Sequence, residues 1–438
     1  MSMGHSDEVN SSCANAAADR ARLVIFVGGF DPRGARHYHQ MMRSESQKQV
    51  AVSGKGEYVI GNRDKWLSGR EEKPIHSLWS IRQQEAAKNA ATDFLFFDWH
   101  DQVRANWPEG RATVFRQALG TYAAIWRLRQ WLKPIHEQAR FTLWALAYPI
   151  VYVALVCLLG AGLGMALGSV IASGAWAGVL ALLVWVLVCW GGFVLDGHIH
   201  VSWLLRILNF AHLSSSQAFP VLDARMEALA ADVAKGVREN RWREVVVVGF
   251  SVGTVQAVKL ISVLRQRMAI DQVGATSSML ASPPYGNLLS LVTLGNCIPL
   301  FGLFPGAVAL RRTLRELAQD ETVYWADISS PSDSVCFGMC DVVGLSLRED
   351  GLCKPKASGP VLKTASKIEQ WGVNPQAVCS PRFHKLFHAA SYRWLRRNKM
   401  RMHFQYLMAG EIAGAYDYFE LLSSPGLIRD HIQKKLVR

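Results

Sequence analysis

Charge is what this 438-residue chain has least of: Asp, Glu, Lys and Arg make up 19% of it, against roughly a quarter in an average soluble domain. Half of its residues are hydrophobic, which excludes disorder for most of its length and permits a sizeable core. Cysteine is sparse too. Eight in so long a chain exclude a disulfide scaffold. Cys336 and Cys340, followed by Cys353 and Cys379, lack the paired Cys or His spacing that zinc requires, so no metal site and no cofactor is implied. Cys157 and Cys189 lie within an apolar run and read as small hydrophobes. The first twenty residues hold Asp7, Glu8, Asp19 and Arg20 but no apolar stretch, which excludes a secretory leader and predicts a flexible tail over residues 1–20.

Between Phe141 and Leu195 charge is missing altogether, over a run of 55 residues rich in Leu, Val, Ala and Trp. One membrane crossing takes about 20 residues, so the run predicts a transmembrane hairpin over residues 141–196, with helices near 142–164 and 174–196. The Gly- and Ser-rich middle, Gly160 to Gly174, supplies the turn. Trp144, Tyr148, Trp176, Trp185 and Trp190 are candidate interfacial or lipid-facing aromatics. Arg127, Arg129, Lys133 and Arg140 precede the run, Arg206 follows it, and the turn is uncharged. The positive-inside rule then puts both flanks and both termini in the cytoplasm, at an inner or cytoplasmic membrane, with the lipid bilayer as partner. A helical hairpin buried in a soluble protein is the competing reading, and the run is too long for an ordinary core pair. Transport is poorly supported, because the two helices hold no ionisable residue to mark a pathway except Asp196 at the edge. The net charge of +13, from 48 Lys and Arg against 35 Asp and Glu, suits anionic headgroups beside such a hairpin better than nucleic acid, which is not an expected partner. The same holds for the seven basic residues that interleave with Phe383, Phe387, Tyr392 and Trp394 between Arg382 and Arg401.

The flanks alternate strand-like and helix-like segments. Arg22 to Phe30 is a continuous apolar run ending at paired glycines, as a buried parallel strand followed by a tight loop looks. Phe94 to Asp98 is a second strand, with weaker signals at Tyr58 to Ile60 and His76 to Ile81, and Thr113 to Leu132 reads as a helix. Beyond the membrane run, Leu222, Met226, Leu229, Val233 and Val237 mark one helix face, and Glu244 to Gly249 is the clearest strand of all. This pattern predicts an α/β fold, a doubly wound and mostly parallel sheet. Neither residues 21–140 nor residues 197–438 hold enough strands alone. They are expected to share one sheet, which requires an even number of crossings between them.

Directly after that strand comes Gly249-Phe250-Ser251-Val252-Gly253, then Val255, Val258, Ile261 and Leu264 at helical spacing. G-x-S-x-G in a strand-turn-helix setting holds a serine hydroxyl clear of the sheet at the positive end of a helix. On this motif the chain resembles the α/β-hydrolase superfamily, its lipase and esterase branches in particular, over roughly residues 21 to 132 and 217 to 410. Val292 to Gly295 is similar to the strand after the nucleophile helix in lipases. The resemblance implies a serine hydrolase acting on an ester or thioester, with Ser251 as nucleophile. It also implies an oxyanion hole from the backbone N–H of Val252 and of Gly29 or Phe30, the more familiar His-Gly of that loop being replaced here by Gly28-Gly29-Phe30.

The superfamily's chain order places the acid and then the base after residue 251. Thr322 to Ile328 is a strand candidate, and Asp333 on the loop after it is the favoured acid, with Asp327 and Asp341 as alternatives. Of the three histidines that follow, His403 lies in an apolar, strand-like stretch, Lys399 to Leu407, and is the favoured base. His384 and His388, four apart, read as one helix face. An amphiphilic or acyl-ester substrate suits a membrane-anchored hydrolase of this kind. An inactive hydrolase-fold protein that serves membrane interaction is the alternative.

Overall fold

The computed structural model describes residues 21–54, 56–66, 76–84, 91–129, 132–171, 173–273, 288–347 and 373–437. Residues 1–20, expected as a tail, and Cys353 lie outside them. One nine-stranded sheet organises the chain, in the order β2-β4-β5-β1-β6-β7-β8-β9, with β3 paired to β4. Its strands are β1 (Ala21–Val27), β2 (Tyr58–Ile60), β3 (Asp64–Trp66), β4 (His76–Gln83), β5 (Thr92–Phe97), β6 (Trp242–Phe250), β7 (Leu289–Leu294), β8 (Val323–Ile328) and β9 (Ala377–Cys379). From β5 to β9 the pairing is parallel; β2, β3 and β4 form an antiparallel edge.

The expected sharing of the sheet is found at its centre. β1 pairs with β5 on one side and with β6, from beyond the apolar run, on the other. These strands are apolar throughout because both faces are covered: Leu23, Ile25, Val27, Val245 and Val247 pack to one side, Val24, Phe26, Val246 and Val248 to the other. Such double burial explains why they read as continuous rather than alternating runs. Glu244 and Arg22 are opposed in the β1–β6 register, both fully buried and bonded at 2.5 Å. Arg22 also donates to the carbonyls of Leu421, Leu422, Ser424 and Gly426, so the pair ties the C-terminal segment to the sheet.

The helices that matter for the site are α1 (Ala35–Ser53), α2 (Arg111–Arg127), α3 (Leu132–Ile171), α4 (Ala175–Ile199), α5 (Val201–Ser216), α6 (Pro220–Arg238), α7 (Gly253–Val273), α8 (Ala389–Arg397) and α9 (Lys399–Phe404). α3 and α4 are each long and apolar enough to cross a membrane, and only 11% and 6% of their most apolar stretches are buried within the chain. That exposure argues against a soluble-core hairpin. Leu155, Leu158, Leu182, Leu187 and Trp190 all point outward.

The expected turn at Gly160 to Gly174 is corrected: α3 continues to Ile171 and α4 begins at Ala175. The glycines serve packing instead. Gly160, Gly164 and Gly168 recur every four residues, and a β-carbon at Gly164 or Gly168 would lie 2.4 or 2.6 Å from the carbonyl oxygen of Ala181 or Ala177. Small residues on one stripe let the two backbones touch, the usual device for pairing apolar helices where burial from water cannot drive them together. At its start α3 also runs further back than expected, to Leu132, with a non-helical kink at Ala139.

Candidate active site

The parallel strands all end on one edge, and the loops there carry the candidate residues, as open α/β sheets place their ligand sites. Ser251 follows β6 directly and sits at φ 56°, a backbone region that non-glycine residues rarely adopt and that is retained where surroundings enforce it. The neighbouring glycines show what enforces it. A β-carbon at Gly253 would lie 2.3 Å from the carbonyl oxygens of Val27 and Gly28, and one at Gly249 would lie 2.7 Å from Thr254 Cα. Only bare backbone lets the turn between β6 and α7 press against β1 this closely. The Ser251 carbonyl accepts from Thr254 Oγ1 at 2.6 Å, and its N–H donates to the Leu294 carbonyl at 3.0 Å.

Gly28-Gly29-Phe30 crosses directly over this turn. A β-carbon at Gly29 would meet Ser251 Cβ at 3.1 Å and Oγ at 3.4 Å, so the backbone of that loop is the nearest roof above the hydroxyl. Trp99 holds the loop by donating Nε1–H to the Gly28 carbonyl at 2.9 Å, and Phe30 stacks on Phe210 of α5 with ring centroids 4.2 Å apart. The N–H groups of Gly29, Phe30 and Val252 donate to no other described residue. Three amides without partners beside one hydroxyl form a candidate anion cradle.

Asp333 and His403 are brought together from 70 residues apart. His403 Nδ1 lies 2.7 Å from Asp333 Oδ2, and both side chains are almost wholly buried. Asp333 Oδ1 accepts the Val335 N–H at 3.0 Å. The loop that carries Asp333 is clamped by two tyrosines: Tyr406 Oη accepts the Ser330 N–H at 2.8 Å, and Tyr392 Oη lies 2.7 Å from Ser332 Oγ. His403 packs against Phe250, centroids 5.1 Å apart, and its Nε2 is buried with no partner among the described residues. A buried orphan nitrogen is rare and demands an explanation. Ser251, Gly29, Phe30 and His403 together line one cavity of about 320 Å³, which supplies one.

His403, the favoured base, sits on helix α9, not on the strand expected for Lys399 to Leu407. Its apolar neighbours Met402 and Tyr406 face the core, and a six-residue helix is too short for its period to be told from alternation. His384 and His388 do not share a helix face either: His384 lies in a single 3₁₀ turn, Phe383–Lys385, and His388 caps α8. Neither lines the cavity.

The alternative acids have other partners. Asp327 is still in β8 and accepts from Thr293 Oγ1 (2.7 Å), Asn296 Nδ2 (2.9 Å) and Ser329 Oγ (2.7 Å). Burial pushes its carboxyl up to about 6 despite those three donors. Asp341 caps the short helix Val342–Ser346 through the Gly344 N–H.

Several cavity residues carried no sequence signal: Arg33, Tyr38, Trp107, Trp203 and Met400. Cys297 does not line the cavity but lies behind it, its Sγ 4.0 Å from Ser251 Oγ. Burial, reinforced by Asp333, pushes that thiol up to about 12, so it stays protonated beside the serine and offers no rival thiolate. Comparison with family models, curated proteins and solved structures finds no match to this chain.

Proposed function

We propose that the chain is a membrane-anchored serine hydrolase of the α/β-hydrolase type, cleaving an ester or thioester through an acyl-enzyme. Ser251 Oγ attacks the carbonyl carbon while His403 Nε2 takes its proton, and Asp333 holds the ring and balances the charge it gains. The carbonyl oxygen, now an anion, lies on the N–H groups of Val252 and of Gly29 or Phe30. Collapse expels the alcohol or thiol, which leaves with the proton from His403. Water then repeats the sequence on the acyl-serine, releases the acid and restores the hydroxyl.

The observation that carries this reading is the orphaned Nε2 of His403, backed by Asp333 and opening on the cavity that also holds Ser251. The basic flanks of α3 and α4, with an uncharged turn between them, support a cytoplasmic location for the catalytic part and both termini. The test is a fluorophosphonate probe applied to the detergent-purified protein, followed by mapping of the modified peptide. Labelling at Ser251, lost in Ser251→Ala together with hydrolysis of a p-nitrophenyl ester, is the expected result. An intact protein that neither labels nor hydrolyses would instead be an inactive hydrolase-fold membrane interaction protein.

A further inference from the structure

Two more hollows adjoin the catalytic cavity, both lined by apolar and basic side chains. One, of about 820 Å³, runs between the foot of the hairpin and the catalytic loops. Phe141, Trp144 and Tyr148 of α3 line it together with Trp203, Leu204 and Val335, and Arg397 and Lys399 contribute the basic part of its wall. Trp203 and Met400 also line the catalytic cavity, so they are the partition between the two spaces. On the outer side Phe141 is 51% and Trp144 68% exposed, which makes this hollow continuous with the apolar surface of the hairpin itself.

The other hollow, of about 720 Å³, sets a basic cluster among the apolar side chains of Met41, Met400, Phe404 and Met408. Arg33, His37, His200 and Arg401 contribute to it, with Gln40 and Ser44, and no carboxylate does. Arg33 also borders the catalytic cavity, where it pairs with Asp31 at 2.6 Å. Among the described residues no carboxylate pairs with Arg401, so its charge is available to a ligand. A largely apolar trough and a basic cluster thus each border the cavity that holds Ser251, through Trp203 and Met400 on one side and Arg33 and Phe404 on the other, and the trough begins where the membrane segment does.

We propose that the substrate is an anionic lipid taken from the bilayer, with its acyl chain in the trough beside Trp144 and Trp203 and its anionic headgroup on Arg401. This rests on the serine-hydrolase reading and specifies its substrate. Each methylene buried in the trough strengthens binding by up to about fourfold. A charge-assisted bond from Arg401 to the headgroup adds about tenfold over a neutral head.

The experiment uses the full-length protein in nanodiscs of a neutral ether lipid. Rates are measured first on p-nitrophenyl esters of increasing chain length. They are then compared for monoacyl glycerophosphoglycerol and monoacyl glycerophosphocholine of equal chain length. Expected are a kcat/KM that climbs with chain length, a ratio of long-chain to short-chain kcat/KM at least tenfold lower in Ala145→Trp, which fills the trough, and an anionic preference erased in Arg401→Gln. A photoactivatable long-chain fatty acid, bound to the unaltered protein, should crosslink between Phe141 and Val151 or at Trp203; this needs neither turnover nor a folded variant. Hydrolysis of short and long esters alike, with crosslinks elsewhere, would overturn the lipid proposal while leaving the hydrolase standing. A soluble anionic acyl thioester cleaved equally fast with and without bilayer would overturn the membrane route. Absence of all hydrolysis and all probe labelling removes both readings together.

Discussion

Replacing Asp333 by Asn tests the candidate triad at its most specific point. Asp333 Oδ2 accepts the Nδ1–H of His403 and leaves the lone pair on Nε2, where a serine proton must go. Its other oxygen is committed to the Val335 N–H. An asparagine that keeps this second bond must turn its NH₂ group toward Nδ1, and two donors cannot face each other. The ring then takes the other tautomer, with hydrogen on Nε2, and cannot accept from Ser251. The expected loss in kcat is up to about 10⁴-fold, or about 5 kcal/mol of transition-state stabilisation, with KM for a short p-nitrophenyl ester little changed. Asp327→Asn is the control, since Asp327 reaches no histidine and an amide retains two of its three bonds. Its effect should fall on stability. Because the folded chain holds the Asp327 proton up to about 6 against an ordinary 3.8, it binds that proton more tightly than the unfolded chain does. The contribution of this carboxyl to stability is therefore greatest below about 3.8 and declines as pH rises to about 6, by on the order of 3 kcal/mol. Asp327→Asn should flatten that slope in thermal unfolding scans across this range. Activity within tenfold of wild type in Asp333→Asn, alongside an inactive but folded Asp327→Asn, would refute the assignment of the acid.

Three further outcomes are expected. A reporter active only outside the cytoplasm should give signal when fused at Ser173 and none at the C-terminus; the reverse pattern contradicts the proposed topology. Gly164→Leu places side-chain bulk where even a β-carbon would approach the Ala181 carbonyl oxygen to 2.4 Å, so it should cost about 1–3 kcal/mol in detergent unfolding, whereas equal stability would mean that the two backbones do not touch. Thr142→Val removes the 2.5 Å bond from α3 to the Cys336 carbonyl behind the acid loop and should lower kcat about fivefold, the equivalent of one hydrogen bond; an unchanged kcat would show that the hairpin and that loop are uncoupled.

What could be read from the sequence follows from how local each signal is. β1 and β6 are buried on both faces, so their apolar runs were visible without knowing their neighbours. Ser251 stood out because one short motif specifies strand, turn and helix together. Asp333 and His403 meet across 70 residues, and only the order of elements pointed to them. The strand expected around His403 proved to be a helix because six residues do not fix a period. The glycines from Gly160 to Gly174 were ambiguous for a different reason: the lack of a side chain serves a turn and a close helix contact equally well, and only the position of α4 decides between them. Trp203, Trp107 and Arg33 gave no local sign at all. They reach the cavity through the topology, and nothing in their own surroundings in the chain encodes it.

That topology also explains why the apolar hairpin and the candidate site lie together. β1, β5 and β6 are parallel, so the chain leaves β5 at the edge where Ser251 and the Gly28-Gly29-Phe30 loop lie, and must enter β6 at the opposite edge. α6, packed on the sheet face through Leu222, Met226, Leu229 and Val233, makes that return. Everything inserted before α6 therefore begins from the edge that carries the candidate site, and the hairpin is inserted there. Its foot touches the segment that follows Asp333 through Thr142 and through Gln138, which accepts the Asp341 N–H at 2.9 Å. Its exit continues into α5, where Trp203 and Ile207 wall the cavity. An insertion of the same length between β7 and β8, both of whose neighbours come from the same half of the chain, would also leave from this edge, but it would not place the helix that follows it beside Phe30. Apolar hairpin and candidate site are adjacent because the crossover between β5 and β6 brings Trp203, Ile207 and Phe210 of α5 over both the Ser251 turn and the Gly28-Gly29-Phe30 loop that roofs it.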